Sequence, residues 1–141
     1  TAQVRHVSRL FVTAAHLRVP FFSVVLRKGY GLGAMGMAAG GFHAPVFTIA
    51  WPTGEFGAMG LEGAVRLGFR KELEALPEGP ERDALFRKLV AKSYANGEAM
   101  HMAATLEIDA VIDPADTRAW LARGLASARV GALGPRFIDT W

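Results

Sequence analysis

From Gly29 to Gly54 the chain carries no charged residue, and this run decides most of what the sequence can become. It is long enough to cross a bilayer. It also holds seven glycines, Pro45, Pro52 and His43. A spanning helix must satisfy its backbone polar groups along its whole length, and this composition interrupts it repeatedly. The run therefore reads as turns and short strands inside a folded domain, with no membrane span. Hydrophobic residues make up 51% of the 141 residues and charged residues 21%, which excludes a disordered chain. The length fits one domain or part of a larger one. The absence of cysteine excludes disulfides, zinc-thiolate sites, iron–sulfur clusters and a cysteine nucleophile. A net charge of +3 is too small to argue for nucleic acid. Thr1 is followed by no basic and apolar leader, so a cytoplasmic location without a signal peptide is expected. The missing initiator Met hints at a piece of a longer chain.

Local patterns divide the chain. Val4, Val7, Phe11, Ala14 and Leu17 recur at helical spacing over about 3–18, and Pro20 stops that helix. Phe21–Leu26 is apolar at nearly every position, as suits a strand covered on both faces, and Arg27-Lys28 ends it. A short helical stretch is expected at 33–39. Val46–Trp51 is a second strand between Pro45 and Pro52, and Phe56–Met59 a short third. A helical stripe runs from Leu61 to about 75. Beyond Pro80, Glu81 and Asp83 precede Arg87, Lys88 and Lys92, the charge order a helix dipole favours. A helix over 97–105 and a strand over Ile108–Ile112 follow. Asp113-Pro114 reads as an N-cap with proline at the first helical position. Thr117, Trp120, Leu121 and Leu125 carry the last helix, and 129–141 reads as an irregular tail. Alternating strands and helices predict an α/β protein with a small, mostly parallel sheet and packed helices.

The glycines admit several chemistries. Gly31, Gly33 and Gly36 match G-x-G-x-x-G, with Glu55 further on, so a dinucleotide-binding domain is one alternative. Four residues separate the expected strand from these glycines, where that motif turns almost at once. The same glycines suit a strand-to-helix turn whose N–H groups hold an oxyanion, or simply close packing. Glu55 and Glu62 could form the acid/base pair of a hydratase. Arg66, Arg70 and Lys71 share a helix face that is either solvated or phosphate-binding. Ala99-Met100-His101-Met102 has histidine where a biotinyl lysine would stand, so it is expected to be a helix with core methionines. His6, His16, His43 and His101 show no metal-ligand spacing, and no metal is expected.

Several ordered segments carry a more specific signal. They are Val24-Val25-Leu26-Arg27-Lys28-Gly29-Tyr30-Gly31, Ala50-Trp51-Pro52-Thr53-Gly54-Glu55 and Met59-Gly60-Leu61-Glu62-Gly63-Ala64. Together with Tyr94-Ala95-Asn96 and Ile108-Asp109-Ala110-Val111-Ile112-Asp113-Pro114, this chain resembles the carboxyltransferase subunits of biotin-dependent acyl-CoA carboxylases. That family reads R-K-A-Y-G-G-A-Y, A-W-P-T-A-E and M-G-P-E-G-A in the same order. The resemblance covers about 1–127. It places 1–128 in the C-terminal portion of a carboxyltransferase domain, with 129–141 as a tail.

The resemblance implies a partial crotonase-like ββα spiral. It implies transfer of a carboxyl group from N-carboxybiotin to the α-carbon of an acyl-CoA, a step of fatty acid metabolism. Biotin would arrive on a separate carrier domain. By position, the backbone N–H groups of Leu32 and Gly33 would hold the biotin ureido oxygen, with Gly31 permitting the turn. Leu32 stands where the family has glycine. Tyr30, Met35, Met37 and Gly60 would line the acyl or biotin pocket. The implied partners are acyl-CoA, the biotin carboxyl carrier domain, the N-terminal half of the carboxyltransferase and further copies in a homo-oligomer. The isolated chain is expected to be inactive. An acyl-CoA decarboxylase or a hydratase-like enzyme of the same superfamily is the nearest alternative.

Overall fold

The computed structural model describes residues 2–129. The tail expected over 129–141 lies, beyond its first residue, outside them. Helix α1 (Gln3–His16) leads into two successive ββα units. The first is β1 (Phe22–Val25), β2 (Lys28–Tyr30) and α2 (Gly31–Met37). The second is β3 (Phe47–Ala50), β4 (Glu55–Gly57) and α3 (Leu61–Gly68). Helices α4 (Arg70–Glu74), α5 (Pro80–Asn96) and α6 (Ala99–Ala104), strand β5 (Ala110–Val111) and helix α7 (Thr117–Ser127) complete the described chain.

Equivalent strands of the two units stack in parallel. Phe22 through Val25 lie opposite Phe47 through Ala50, and Lys28 through Tyr30 lie opposite Glu55 through Gly57. β5 joins the far side of β3, giving a three-stranded sheet β1-β3-β5 beside the two-stranded sheet β2-β4. The architecture is the expected α/β partial spiral of ββα units. Among the described residues no helix is long and apolar enough to cross a membrane.

Burial of both sheet faces explains the apolar runs in β1 and β3, interrupted only by the buried Ser23 and Thr48. On one face Phe47, Ile49 and Ile112 pack with Phe22, Val24, Trp51 and Trp120. On the other, Ala50, Phe56, Ala99 and Ile108 pack with Val25, Phe42 and Met102. The Phe22 and Phe47 rings sit 4.9 Å apart, and Trp120 meets Phe47 edge-on at 5.8 Å. Gly124 lets α7 approach these rings, because a Cβ there would overlap both. In the biotinyl-like segment, Met102 joins the core but Met100 is exposed, so only one of the two methionines behaves as expected.

Three expected boundaries change for physical reasons. Arg27-Lys28 does not end the sheet region: the Arg27 carbonyl accepts the Glu55 N–H at 2.6 Å, and Lys28 opens β2 against β4. The helix expected from Leu61 to about 75 breaks at Phe69, whose φ of −110° and ψ of 27° leave the helical region after Gly68. The expected strand 108–112 shortens to Ala110–Val111. Asp109 Oδ2, rather than a backbone carbonyl, accepts the N–H of the fully buried Thr48 at 2.7 Å. Asp109 N–H returns a bond to the Thr48 carbonyl at 2.8 Å, so the ladder continues through a side chain. The Asp113 cap forms as read, its Oδ1 accepting Ala115 N–H at 2.8 Å.

Candidate active site at the glycine turn

Strand β2 runs straight into α2, and Gly31 makes the junction. Its φ is +56°, and a Cβ there would stand 2.5 Å from the Ala58 carbonyl oxygen. Only glycine accepts this combination of left-handed backbone and close approach. The Ala58 loop follows β4, which runs parallel to β2, so the starts of α2 and α3 meet at one end of the strand pair. Leu32 and Gly33 lie in the first turn of α2, where helix geometry leaves N–H groups without an intrahelical acceptor. Both residues are exposed. A Cβ on Gly33 or on Gly60 would meet nothing within 4 Å, so space is open beside the turn.

A cleft of about 450 Å³ adjoins the turn. Gly31 and Met35 line it from one side, Gly57, Ala58 and Leu61 from the second unit, and Ser93, Asn96 and Gly97 from the end of α5. Of the residues expected at the site, the structure brings Gly31 and Met35 to this cleft. Met37 instead lines a separate groove against β1. Residues two apart on a helix do not share a face, which separates the two methionines. Gly60 precedes α3 beside the Ala58 loop, exposed. Tyr30 directly precedes Gly31 and turns its hydroxyl to Glu55.

The carboxylates weighed as an acid/base pair are each held by a tyrosine. Tyr30 Oη donates to Glu55 Oε2 at 2.8 Å, while Arg27 Nε lies 3.6 Å from Glu55 Oε1. Tyr94 Oη donates to Glu62 Oε1 at 2.8 Å. Burial first, and then the bond to Glu55, push the Tyr30 phenol well above its usual range. The Glu62 carboxyl is held below its ordinary value of 4.5, by its own main-chain N–H first, then by the Tyr94 hydroxyl, with Lys28 adding to it. A catalytic carboxyl acting near neutral pH needs the opposite shift. Tyr94 and these pairings were not marked as functional in the sequence, because 25 and 32 residues separate the partners.

This pairing gives a first prediction. Carbon-detected titration of Glu62 should show a midpoint below 4.5, and Tyr94→Phe should move it upward. Because the folded value is the depressed one, the pairing contributes above the ordinary value and is lost as pH falls through the folded value. The stability difference between wild type and Tyr94→Phe should therefore vanish in acid. An unmoved midpoint would mean that the hydrogen bond does not persist in solution.

A second cleft, about 600 Å³, lies between α3, α4 and α5. Its cations already have protein partners. Arg70 Nε lies 2.7 Å from Glu74 Oε1, and the Arg66 guanidinium stacks 4.5 Å over the Phe86 ring. The break at Phe69 puts Arg66 on α3 and Arg70 and Lys71 on α4, so the three do not share the single helix face expected, and Arg66 and Arg70 are already engaged. Among the described residues no cluster of three His, Asp or Glu is placed to hold a metal ion.

The carboxyl transferase domain family matches residues 3–133. The chain belongs to that family. It is 35% identical over 122 residues to the methylmalonyl-CoA carboxyltransferase 12S subunit of Propionibacterium freudenreichii subsp. shermanii, covering 86% of this chain and 23% of that subunit. The hexameric transcarboxylase 12S crystal structure with methylmalonyl-CoA bound superposes with a TM-score of 0.81 at 30% identity, over 98% of this chain and 26% of the other. A single-chain, multi-domain long-chain acyl-CoA carboxylase shares 55% identity at a TM-score of 0.73, over 86% of this chain and 12% of that one. The chain thus spans about a quarter or less of the proteins it matches. The dinucleotide alternative loses its ground: α2 is only seven residues long, and the strands stack as in carboxyltransferases.

Proposed function

We propose that this chain forms the C-terminal part of a carboxyltransferase site that moves a carboxyl group from N-carboxybiotin to the α-carbon of an acyl-CoA. The observation that carries the reading is the left-handed Gly31, which lines the 450 Å³ cleft and joins β2 directly to α2, the helix whose first turn carries Leu32 and Gly33. The turn fits a biotin ureido group: two N–H donors for its oxygen, no side chain on Gly33, and apolar walls from Met35 and Leu61. When bound, carboxybiotin supplies the carboxyl group and the base for the α-proton. This chain's residues position and polarise. Leu32 and Gly33 N–H donate to the oxygen that gains charge, and Gly31 fixes their direction without reorganisation. Tyr30, tied to Glu55, holds the end of β2 from which the turn springs.

Gly60, open beside the Ala58 loop, belongs to this proposal at its margin, while Met37 lines the separate groove against β1. The carrier domain bearing biotin, the N-terminal half with the acyl-CoA enolate site, and a homo-oligomer complete the enzyme. A cytoplasmic setting suits acyl-CoA chemistry. The 55% identity to the long-chain acyl-CoA carboxylase, against 35% to the methylmalonyl-CoA enzyme, supports a long-chain acyl-CoA as the substrate.

The test is reverse carboxyl transfer by the complete polypeptide carrying this sequence. Carboxylated thioesters of increasing chain length are offered with soluble biotin, and the decarboxylated acyl-CoA is followed. Turnover should require biotin and rise with chain length, and the isolated 141-residue chain should show none. Biotin-independent decarboxylation would assign the chain to the decarboxylase alternative instead.

A further inference from the structure

An apolar cleft that recognises a polar ring needs a few polar groups at fixed places, which set orientation and selectivity. Among the described residues that line the 450 Å³ cleft, only Ser93 and Asn96 have polar side chains. Ser93 Oγ is tied to its own helix, donating to the Leu89 carbonyl at 3.0 Å. The Asn96 side chain is exposed and makes no hydrogen bond within the described chain. Asn96 is therefore the one polar side chain at the cleft with both its donor and its acceptor free. It belongs to the wall formed by the end of α5, while Gly31 and Met35 belong to the wall formed by α2.

The backbone that carries Asn96 is braced on both sides. Two residues earlier, Tyr94 Oη donates to Glu62 Oε1, in the first turn of α3, at 2.8 Å. One residue later, the Gly97 carbonyl accepts the Phe56 N–H at 2.8 Å. A Cβ on Gly97 would overlap the Phe56 carbonyl, so the chain leaving α5 lies directly against β4. Phe56 stands opposite Gly29 in the β2–β4 pair, two residues before Gly31. The Asn96 amide and the first turn of α2 thus hang from the same two strands. A group held on such a frame loses little freedom when a ligand arrives.

The Gly31 turn offers donors, and donors alone do not recognise a ureido ring. The ring presents an oxygen and two N–H groups, and N-carboxylation leaves one N–H in place. A carboxamide carries C=O and N–H side by side, the complement of the ring's N–H and C=O edge. We infer that Asn96 pairs with the uncarboxylated edge of the ureido ring, Oδ1 accepting its N–H and Nδ2 donating to its oxygen. This rests on the carboxyltransferase reading and adds the residue that tells biotin from other carbonyl compounds. An unpaired amide in an apolar cleft also penalises any occupant that lacks a matching edge.

The test uses the complete carboxyltransferase polypeptide carrying this sequence, free of any biotinylated carrier. Ligand-observed NMR titration gives the Kd of free biotin without turnover, and reverse carboxyl transfer gives KM for biotin and for the thioester. Asn96→Ala should weaken biotin by roughly 10-fold in both readouts and leave the thioester KM unchanged. The melting temperature should not fall, because the side chain is exposed and bonds to nothing in the described chain. The decisive comparison is a biotin analogue methylated at the ureido nitrogen that is not carboxylated. Wild type should prefer biotin to it by roughly 100-fold, and Asn96→Ala should lose most of that preference. Equal biotin affinity in wild type and Asn96→Ala overturns the inference. So does a parallel loss for biotin and the methylated analogue, which would make Asn96 merely structural, and so does a change confined to the thioester KM. If wild type transfers carboxyl to biotin while Asn96→Ala behaves identically, the residue assignment alone fails. If wild type neither binds biotin nor turns over any thioester with it, the carboxyltransferase reading fails as well.

Discussion

Gly31→Val should cost the domain on the order of 3 kcal/mol and remove most of the transfer activity of the complete enzyme. Holding a β-branched residue in the left-handed region costs on the order of 1–3 kcal/mol. Its Cβ would also stand 2.5 Å from the Ala58 carbonyl oxygen, a backbone atom that moves only if β4 and its loop move. Overpacking of this kind adds roughly 1–3 kcal/mol. The loop cannot yield without pulling Gly57 away from Tyr30, its partner across the strand pair. Either response re-aims the N–H groups of Leu32 and Gly33. Loss of one oriented donor typically lowers kcat by about 100- to 1,000-fold. Urea unfolding of the isolated chain reads the first effect, and reverse carboxyl transfer by the complete enzyme reads the second. Gly33→Ala is the stability control: nothing lies within 4 Å of its Cβ position and its φ is unexceptional. Equal destabilisation by the two variants would refute the strained-turn account.

Ile49→Ala should be at least as damaging to folding and silent about chemistry. Ile49 is fully buried in the central strand β3, pressed between Phe47 and Ile112 on the face that α7 covers. Removing three carbons there loses the transfer energy and leaves a cavity, together about 2–5 kcal/mol. Marginal stability makes that a large fraction of the total. Thermal unfolding should shift down by roughly 10 °C. Ile49→Val, which leaves a much smaller void, should lose only about 1 kcal/mol. A loss below 1 kcal/mol for the alanine variant would mean that α7 does not pack on this face in solution.

The sequence displayed those parts of the fold whose cause is local. β3 stands between Pro45 and Pro52, the Asp113 cap sits beside its proline, and Glu81 and Asp83 fall in the first turn of α5 as the helix dipole favours, although no basic residue reaches its last turn. β2 was hidden because Lys28-Gly29-Tyr30 has no strand pattern of its own. It exists through pairing with Glu55-Phe56-Gly57 of the next unit. The ββα repeat was expected only through the resemblance to the carboxyltransferase family, since the two units share topology without sharing residues. At the site, the Gly31 turn was legible, because positive φ and close approach both require glycine. Tyr94 and its bond to Glu62 were not, because no spacing rule links residues on α5 and α3. Met37 carried a readable warning: two positions from Met35, it was bound to face elsewhere.

The stacked spiral also has a kinetic meaning. Each strand finds its neighbour across an intervening helix: Phe22 waits for Phe47, Lys28 for Glu55, and Thr48 for Asp109, 61 residues on. No hairpin joins any two described strands, so no pair can zip up from a tight turn. Chains built from such distant pairings fold slowly, because loop closure must precede the contacts that reward it. During that interval the apolar strands at Phe21–Leu26 and Val46–Trp51 are solvent-exposed together, and the nascent chain is most vulnerable to aggregation.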